Sequence, residues 1–211
     1  AAKAGLRTHA VLTDMNEVLG STAGNALEIA ESVRFLRNEV RESRLNNVTM
    51  SLCAEMLVVA GVEADRDRAR ERCDEAVTSG RAAEIFARMV EVLGGPHDFL
   101  ERYESYLAVA PVTHAVHTQG VVTKVDTRAV GNAIIELGGG RRQVGEELDL
   151  SVGFSDIAPI GTHLDADTPL AVIHAASETA AERAQQRLLE AVTLGDLPPS
   201  ERPVVFEILT G

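Results

Sequence analysis

The hydrophobic pattern of this chain changes period once, and the change falls at Ala110-Pro111. Before that point apolar residues recur at helical spacing, in stretches at 25–36, 47–60, 65–79, 81–93 and 96–107. After it come short β-branched segments at 112–118 and 121–125, separated by Gln119-Gly120. Periods near 3.6 and 2 bury different faces, so a chain that switches between them joins two kinds of packing. The expected fold is therefore α/β followed by α+β: a helix-rich, strand-poor part over residues 1–110 and a β-rich part over 111–211. A strand at 7–13 precedes a glycine-bracketed loop, and Asn25 stands where it can cap the helix at 25–36. Beyond the switch the pattern predicts a helix at 127–137, a turn at Gly138-Gly139-Gly140 and strands at 148–154 and 170–175. A helix at 178–194 and a last strand at 204–209 complete it. There is no internal repeat and no low-complexity tract.

Composition removes several classes of function. Only 3% of the 211 residues are aromatic and none is Trp, so the core rests on Ala, Val, Leu and Ile, and base-stacking platforms are unexpected. Twenty Lys and Arg stand against 32 Asp and Glu, a net charge of -12 that repels a phosphate backbone. Nucleic acid is not an expected partner. No apolar run reaches the length of a membrane span, and the opening residues lack the apolar block of a signal peptide, so a cytoplasmic protein without membrane contact is expected. Cys53 and Cys73 form no C-x-x-C pair and are read as reduced thiols.

The loop from Asp14 to Gly24 carries the most chemistry. A strand end, paired glycines and a helix start favour an anion. Yet no Lys or Arg lies between Thr8 and Val33, whereas Asp14, Glu17, Glu28 and Glu31 supply four carboxylates, which suit a hard cation better. The bland alternative is a tight turn with solvated acids. Gly138-Gly139-Gly140-Arg141-Arg142 has the composition of an anion nest but not the spacing of a phosphate loop, and a solvated turn is favoured. His114 and His117 point to opposite faces of a strand, which argues against a zinc pair. The texture around Ile160 to Ile173 suits a small carrier domain, but Lys124, the one lysine of the second half, falls inside a strand.

Several blocks, in order along the whole chain, resemble one family. Leu12-Thr13-Asp14-Met15-Asn16-Glu17-Val18-Leu19-Gly20, Gly24-Asn25-Ala26-Leu27-Glu28 and Val48-Thr49-Met50-Ser51-Leu52-Cys53-Ala54-Glu55-Met56-Leu57 are similar to the pyrimidine nucleoside phosphorylases. So are Ala82 to Val90 with Gly94-Gly95-Pro96, and Pro169-Leu170-Ala171-Val172-Ile173-His174-Ala175. Gly138-Gly139-Gly140-Arg141-Arg142-Gln143 and Ser151-Val152-Gly153-Phe154-Ser155-Asp156 resemble the bacterial thymidine phosphorylases in particular.

The resemblance implies a pentosyltransferase of nucleoside salvage: reversible phosphorolysis of thymidine to thymine and 2-deoxyribose 1-phosphate. It also implies a homodimer built through a small helical domain, with phosphate and thymidine as ligands. Family members hold phosphate with a Lys, Ser and Thr cluster and the base with Arg, Ser and Lys, all upstream of the blocks matched here. No Lys-x-Ser-x-Gly-Gly block occurs in these residues. No catalytic residue is therefore carried over, and the chain is expected to be the C-terminal half of such an enzyme, inactive alone and with apolar surface left uncovered. No cofactor is required. A monovalent cation such as potassium is implied at the backbone carbonyls of Leu19 and Thr22 and the carboxylate of Glu31, although position 22 is usually Ala in the family. A uridine or nucleotide phosphorylase, or a non-catalytic interaction module, remains an alternative.

Overall fold

A computed structural model of the chain describes residues 2–210. In chain order the elements are β1 (His9–Thr13), α1 (Asn25–Leu36), α2 (Ser43–Val59), α3 (Arg66–Thr78), α4 (Arg81–Val92) and α5 (Phe99–Tyr106). They continue with β2 (Val112–Val116), β3 (Gly120–Val125), α6 (Thr127–Leu137), β4 (Gly153–Ser155), β5 (His163–Leu164), β6 (Ala171–Ala175), α7 (Glu178–Ala191), β7 (Val192–Gly195) and β8 (Val205–Thr210). The helix-rich opening and strand-rich close match the change of period at Ala110-Pro111.

The contacts divide the chain into two compact units. The first comprises the stretch ending at Asp14, the helices within Val33–Arg102 and the stretch starting at Arg202. Its β1 pairs antiparallel with β8, from His9 opposite Thr210 to Thr13 opposite Val205, with an irregularity between Leu12 and Thr13. Its small apolar core is Phe35, Met50 and Val77, with Leu36, Leu45, Cys73 and Ala82 packed against it. Two of its helices, α2 and α3, start where a carboxylate satisfies an otherwise unpaired amide. Glu42 accepts from Leu45 N ahead of α2, and Asp65 accepts from Arg68 N ahead of α3. A buried polar cluster ties three elements together. His9 Nδ1 on β1 donates to Glu55 Oε2 on α2 at 2.6 Å, and Arg66 on α3 donates to the other oxygen of Glu55. Burial alone would push the Glu55 carboxyl up. The hydrogen bonds and charges of Arg66 and His9 outweigh it and hold the group below its usual range.

The second unit, Met15–Ser32 with Tyr103–Glu201, holds the larger core. Two three-stranded antiparallel sheets, ordered β2-β6-β4 and β5-β3-β7, are covered by α6 and α7. Phe154, Leu164, Leu170, Ile173 and Leu188 are almost wholly buried. The core is aliphatic as the composition requires, except that the ring of Phe154 stands at its centre.

Five details differ from the sequence pattern. The helix expected through 194 ends at Ala191, because Val192 to Gly195 pair with β3, Val192 lying opposite Val125. Both Val192 and Thr193 are β-branched, and a partner strand decides their state. The strand expected from 148 shrinks to Gly153–Ser155, since Asp149 turns the chain by accepting from Ser151 N and Ser151 Oγ. The helix expected from Pro96 starts at Phe99, and β5 carries no alternation long enough to read. Asn25 also does not cap α1. Its Nδ2 donates to Gly139 O at 3.0 Å, while Glu28 reaches back to accept from Gly24 N at 3.0 Å, satisfying an amide at the helix start.

Leu188 is 1% exposed inside the core and Ile85 on α4 is 66% exposed. Urea denaturation should therefore show Leu188→Ala costing about 2–5 kcal/mol and Ile85→Ala changing stability by less than about 0.5 kcal/mol. Because the folded value of Glu55 is depressed, its contribution is complete above the ordinary Glu value of about 4.3 and is lost as pH falls through the lower folded value. Glu55→Gln should therefore be less stable than the parent at neutral pH, and urea midpoints should show that gap closing in strong acid.

Candidate functional site

Between β1 and α1 the chain folds around one carboxylate. Glu31, on the second turn of α1, accepts from Ser21 N at 2.7 Å and Ser21 Oγ at 2.7 Å through Oε1. Its Oε2 accepts from Thr22 Oγ1 at 2.6 Å. Gly20 completes the wrap: a Cβ there would lie 2.4 Å from Glu31 Oε2, so any side chain at this position would displace the carboxylate. Thr22 is buried, and Leu19 stands partly exposed at the start of the loop. Of the three residues named from the sequence, Thr22 and Glu31 are joined by a hydrogen bond, while Leu19 stands two positions before Ser21 in the same loop.

The remaining acids of the segment do not join Glu31. Asp14 is buried in the first unit beside Arg44, whose Nη1 lies 3.4 Å from the Asp14 carboxylate Oδ2 and whose Nη2 donates to the Asp14 backbone carbonyl at 3.1 Å. Glu17 accepts from Ile160 N at 2.8 Å, and Glu28 is committed to Gly24 N. The four carboxylates noted in the sequence are therefore spread over four tasks and do not form one hard-cation cage. Among the described residues no group of three or more His, Cys, Asp or Glu could hold a metal ion.

A carboxylate has about four lone-pair sites, and Ser21 and Thr22 use three of them.

Other motifs resolve into structural roles. The triple glycine ends α6: Gly138 N donates to Ile135 O at 3.1 Å and Gly139 N to Ile134 O at 3.0 Å, the paired bonds of a Schellman stop. Arg142 N donates to Glu146 Oε2 at 2.7 Å and Arg141 Nε to Glu146 O at 3.1 Å, so this turn is occupied by its own acid. His114 on β2 hydrogen-bonds Gln185. Lys124 is exposed within β3, away from any hairpin tip.

One polar cluster has no signal in the sequence. Pairing of β4 with β6 brings Ser155 Oγ to 2.9 Å from His174 Nε2, across 19 positions of chain. Ser155 in turn donates to Asp156 Oδ2 at 3.0 Å. Its proton is committed to that carboxylate, so His174 must donate, the reverse of the proton flow that activates a serine nucleophile. Burial lowers the His174 pKa, and the charge of Asp156 opposes that shift.

Comparison with known families agrees with this architecture. Residues 1–83 match the glycosyl transferase family a/b domain. Residues 121–195 match the pyrimidine nucleoside phosphorylase C-terminal domain. The two matches together take in most of the chain, in the order in which the helix-rich and strand-rich parts occur. The chain belongs to the pyrimidine nucleoside phosphorylase family, whose members are pentosyltransferases. No helix among the described residues is long and apolar enough to cross a membrane.

Replacing Glu31 by Gln keeps its shape but turns one acceptor into a donor facing Ser21 or Thr22. Thermal or urea denaturation should show a loss of about 1–3 kcal/mol, the range for one buried polar group left without its partner.

Proposed function

We propose that these residues serve a thymidine phosphorylase, in which phosphate displaces thymine from thymidine to give 2-deoxyribose 1-phosphate. The observation that carries this reading is the joining of a glycosyl transferase a/b segment to a pyrimidine nucleoside phosphorylase C-terminal domain in one chain. The Gly-Gly-Gly-Arg-Arg-Gln and Ser-Val-Gly-Phe-Ser-Asp blocks, at 138–143 and 151–156, favour thymidine over the broader pyrimidine class.

In this proposal the chain supplies a frame and one charge site, not the reacting groups. The carbonyls of Leu19 and Thr22 and the carboxylate of Glu31 would hold a monovalent cation, potassium being the natural candidate, and it would supply positive charge near the place where phosphate is bound. Ser21 and Thr22 orient the Glu31 carboxylate. Phosphate and base are gripped by residues outside these 211, so the chain alone is inactive and the working enzyme is a cytoplasmic homodimer.

The test is thymine release, with and without phosphate, by this chain and by the product of the uninterrupted coding sequence. Phosphate-dependent release from thymidine by the longer product alone is the expected result. Activity of this chain by itself, or a longer product that prefers uridine, would overturn the proposal.

A further inference from the structure

The Glu31 loop matches one family domain in sequence and packs in the unit that contains the other. Residues 15–32 lie within the glycosyl transferase a/b match, yet their contacts place them in the same compact unit as the phosphorylase C-terminal domain. The packing is backbone to backbone. Ala23 and Phe154 form an antiparallel bridge, Ala23 N donating to Phe154 O at 2.9 Å and Phe154 N to Ala23 O at 2.8 Å. Next to it Gly24 crosses Gly153 at a distance no side chain permits. A Cβ on Gly153 would lie 2.3 Å from Ala23 O, and one on Gly24 would lie 2.5 Å from Val152 O. Both glycines also have positive φ, +144° and +151°.

This crossing flanks Thr22. On its other side Ser21 O accepts from Ile157 N at 3.0 Å, so residues 154–157 hold the backbone immediately before and immediately after Thr22. The helix that carries Glu31 is referenced to the same domain, because Ala26 N donates to Leu150 O at 3.0 Å and Asn25 Nδ2 to Gly139 O. Loop and carboxylate are thereby placed by one frame, supplied almost entirely by residues 139–157.

We infer that Gly153 is a positioning residue for the Glu31 loop: its close crossing with Gly24 sets the backbone that aims Ser21 N and Thr22 Oγ1 at the carboxylate. As a route to cation binding this rests on the proposed cation site, but the positioning itself does not. It follows the general rule that a ligand set is held in place by a second layer of contacts, here made by backbone instead of side chains.

Two measurements on this chain separate the parts. The first is hydrogen exchange at the Ser21 amide, read against core amides of β6 by NMR. Gly153→Ala should lower Ser21 protection by about tenfold, the factor that one lost hydrogen bond carries, while the β6 amides retain theirs. Asn25→Ala removes one tie without inserting an atom at the crossing, and should lower protection by less; it decides the matter if Gly153→Ala does not fold. Gly131→Ala, with nothing within 4 Å of the added Cβ, should leave Ser21 unchanged. Ser21 protection equal to the parent in Gly153→Ala, or in Asn25→Ala if that variant must decide, overturns the inference.

The second is the difference in melting temperature between potassium and tetramethylammonium chloride at equal ionic strength. The parent should be stabilised by potassium and Gly153→Ala should lose that increment, an effect that simple destabilisation does not produce. If the parent shows no increment while Ser21 protection still falls in Gly153→Ala, the cation reading fails and the positioning role stands. If Gly153→Ala keeps the full increment, the crossing does not position the site and the inference fails.

Discussion

The antiparallel bridge between Ala23 and Phe154 is the contact on which the second unit's functional geometry depends. It is short, yet it joins a loop near the start of the chain to the most deeply buried strand of the β-rich part. Phe154 is held through its side chain by the aliphatic core and through its backbone by β6 and Ala23. The core therefore fixes the backbone of the loop through this one bridge. Glycine at 24 and 153 is what physical contact demands there, since the two backbones approach more closely than a Cβ allows.

That arrangement explains why one carboxylate of four is special. The carboxylates of Asp14, Glu17 and Glu28 each face a partner of their own: Arg44, Ile160 N and Gly24 N. Glu31 alone sits inside a loop shaped around it, with two hydroxyls and an amide directed at its oxygens. Removing three N–H or O–H groups from water and aiming them at one anion costs desolvation and chain entropy, which the buried Thr22 and the clamped backbone on both sides of it offset. The same economy of parts is seen at Gly138 and Gly139, where groups with the composition of an anion nest terminate a helix.

Much of the architecture was legible in the sequence because it follows from local chemistry. The bounds of α1 coincide with the apolar spacing of Ala26, Ile29, Val33 and Leu36, and α3 starts after the Asp65 cap. The failures come from contacts that cross the chain. Val192 and Thr193 leave a helical pattern to pair with β3, and Asn25 gives up a cap for a carbonyl 114 positions away. The naming of Leu19, Thr22 and Glu31 came from family resemblance and not from spacing; spacing alone pointed to four acids acting together. The Ser155–His174 contact was invisible, since nothing local announces that β4 will lie beside β6.

The central claim is that the C-terminal domain and the loop at residues 15–32 build one monovalent-cation site. Anomalous diffraction from crystals of this chain grown in rubidium chloride tests it most directly. The account predicts a rubidium peak bounded by the Glu31 carboxylate and the carbonyls of Leu19 and Thr22, with the Ala23–Phe154 bridge intact. A well-ordered loop with no peak there would contradict it, as would rubidium bound only at other acids.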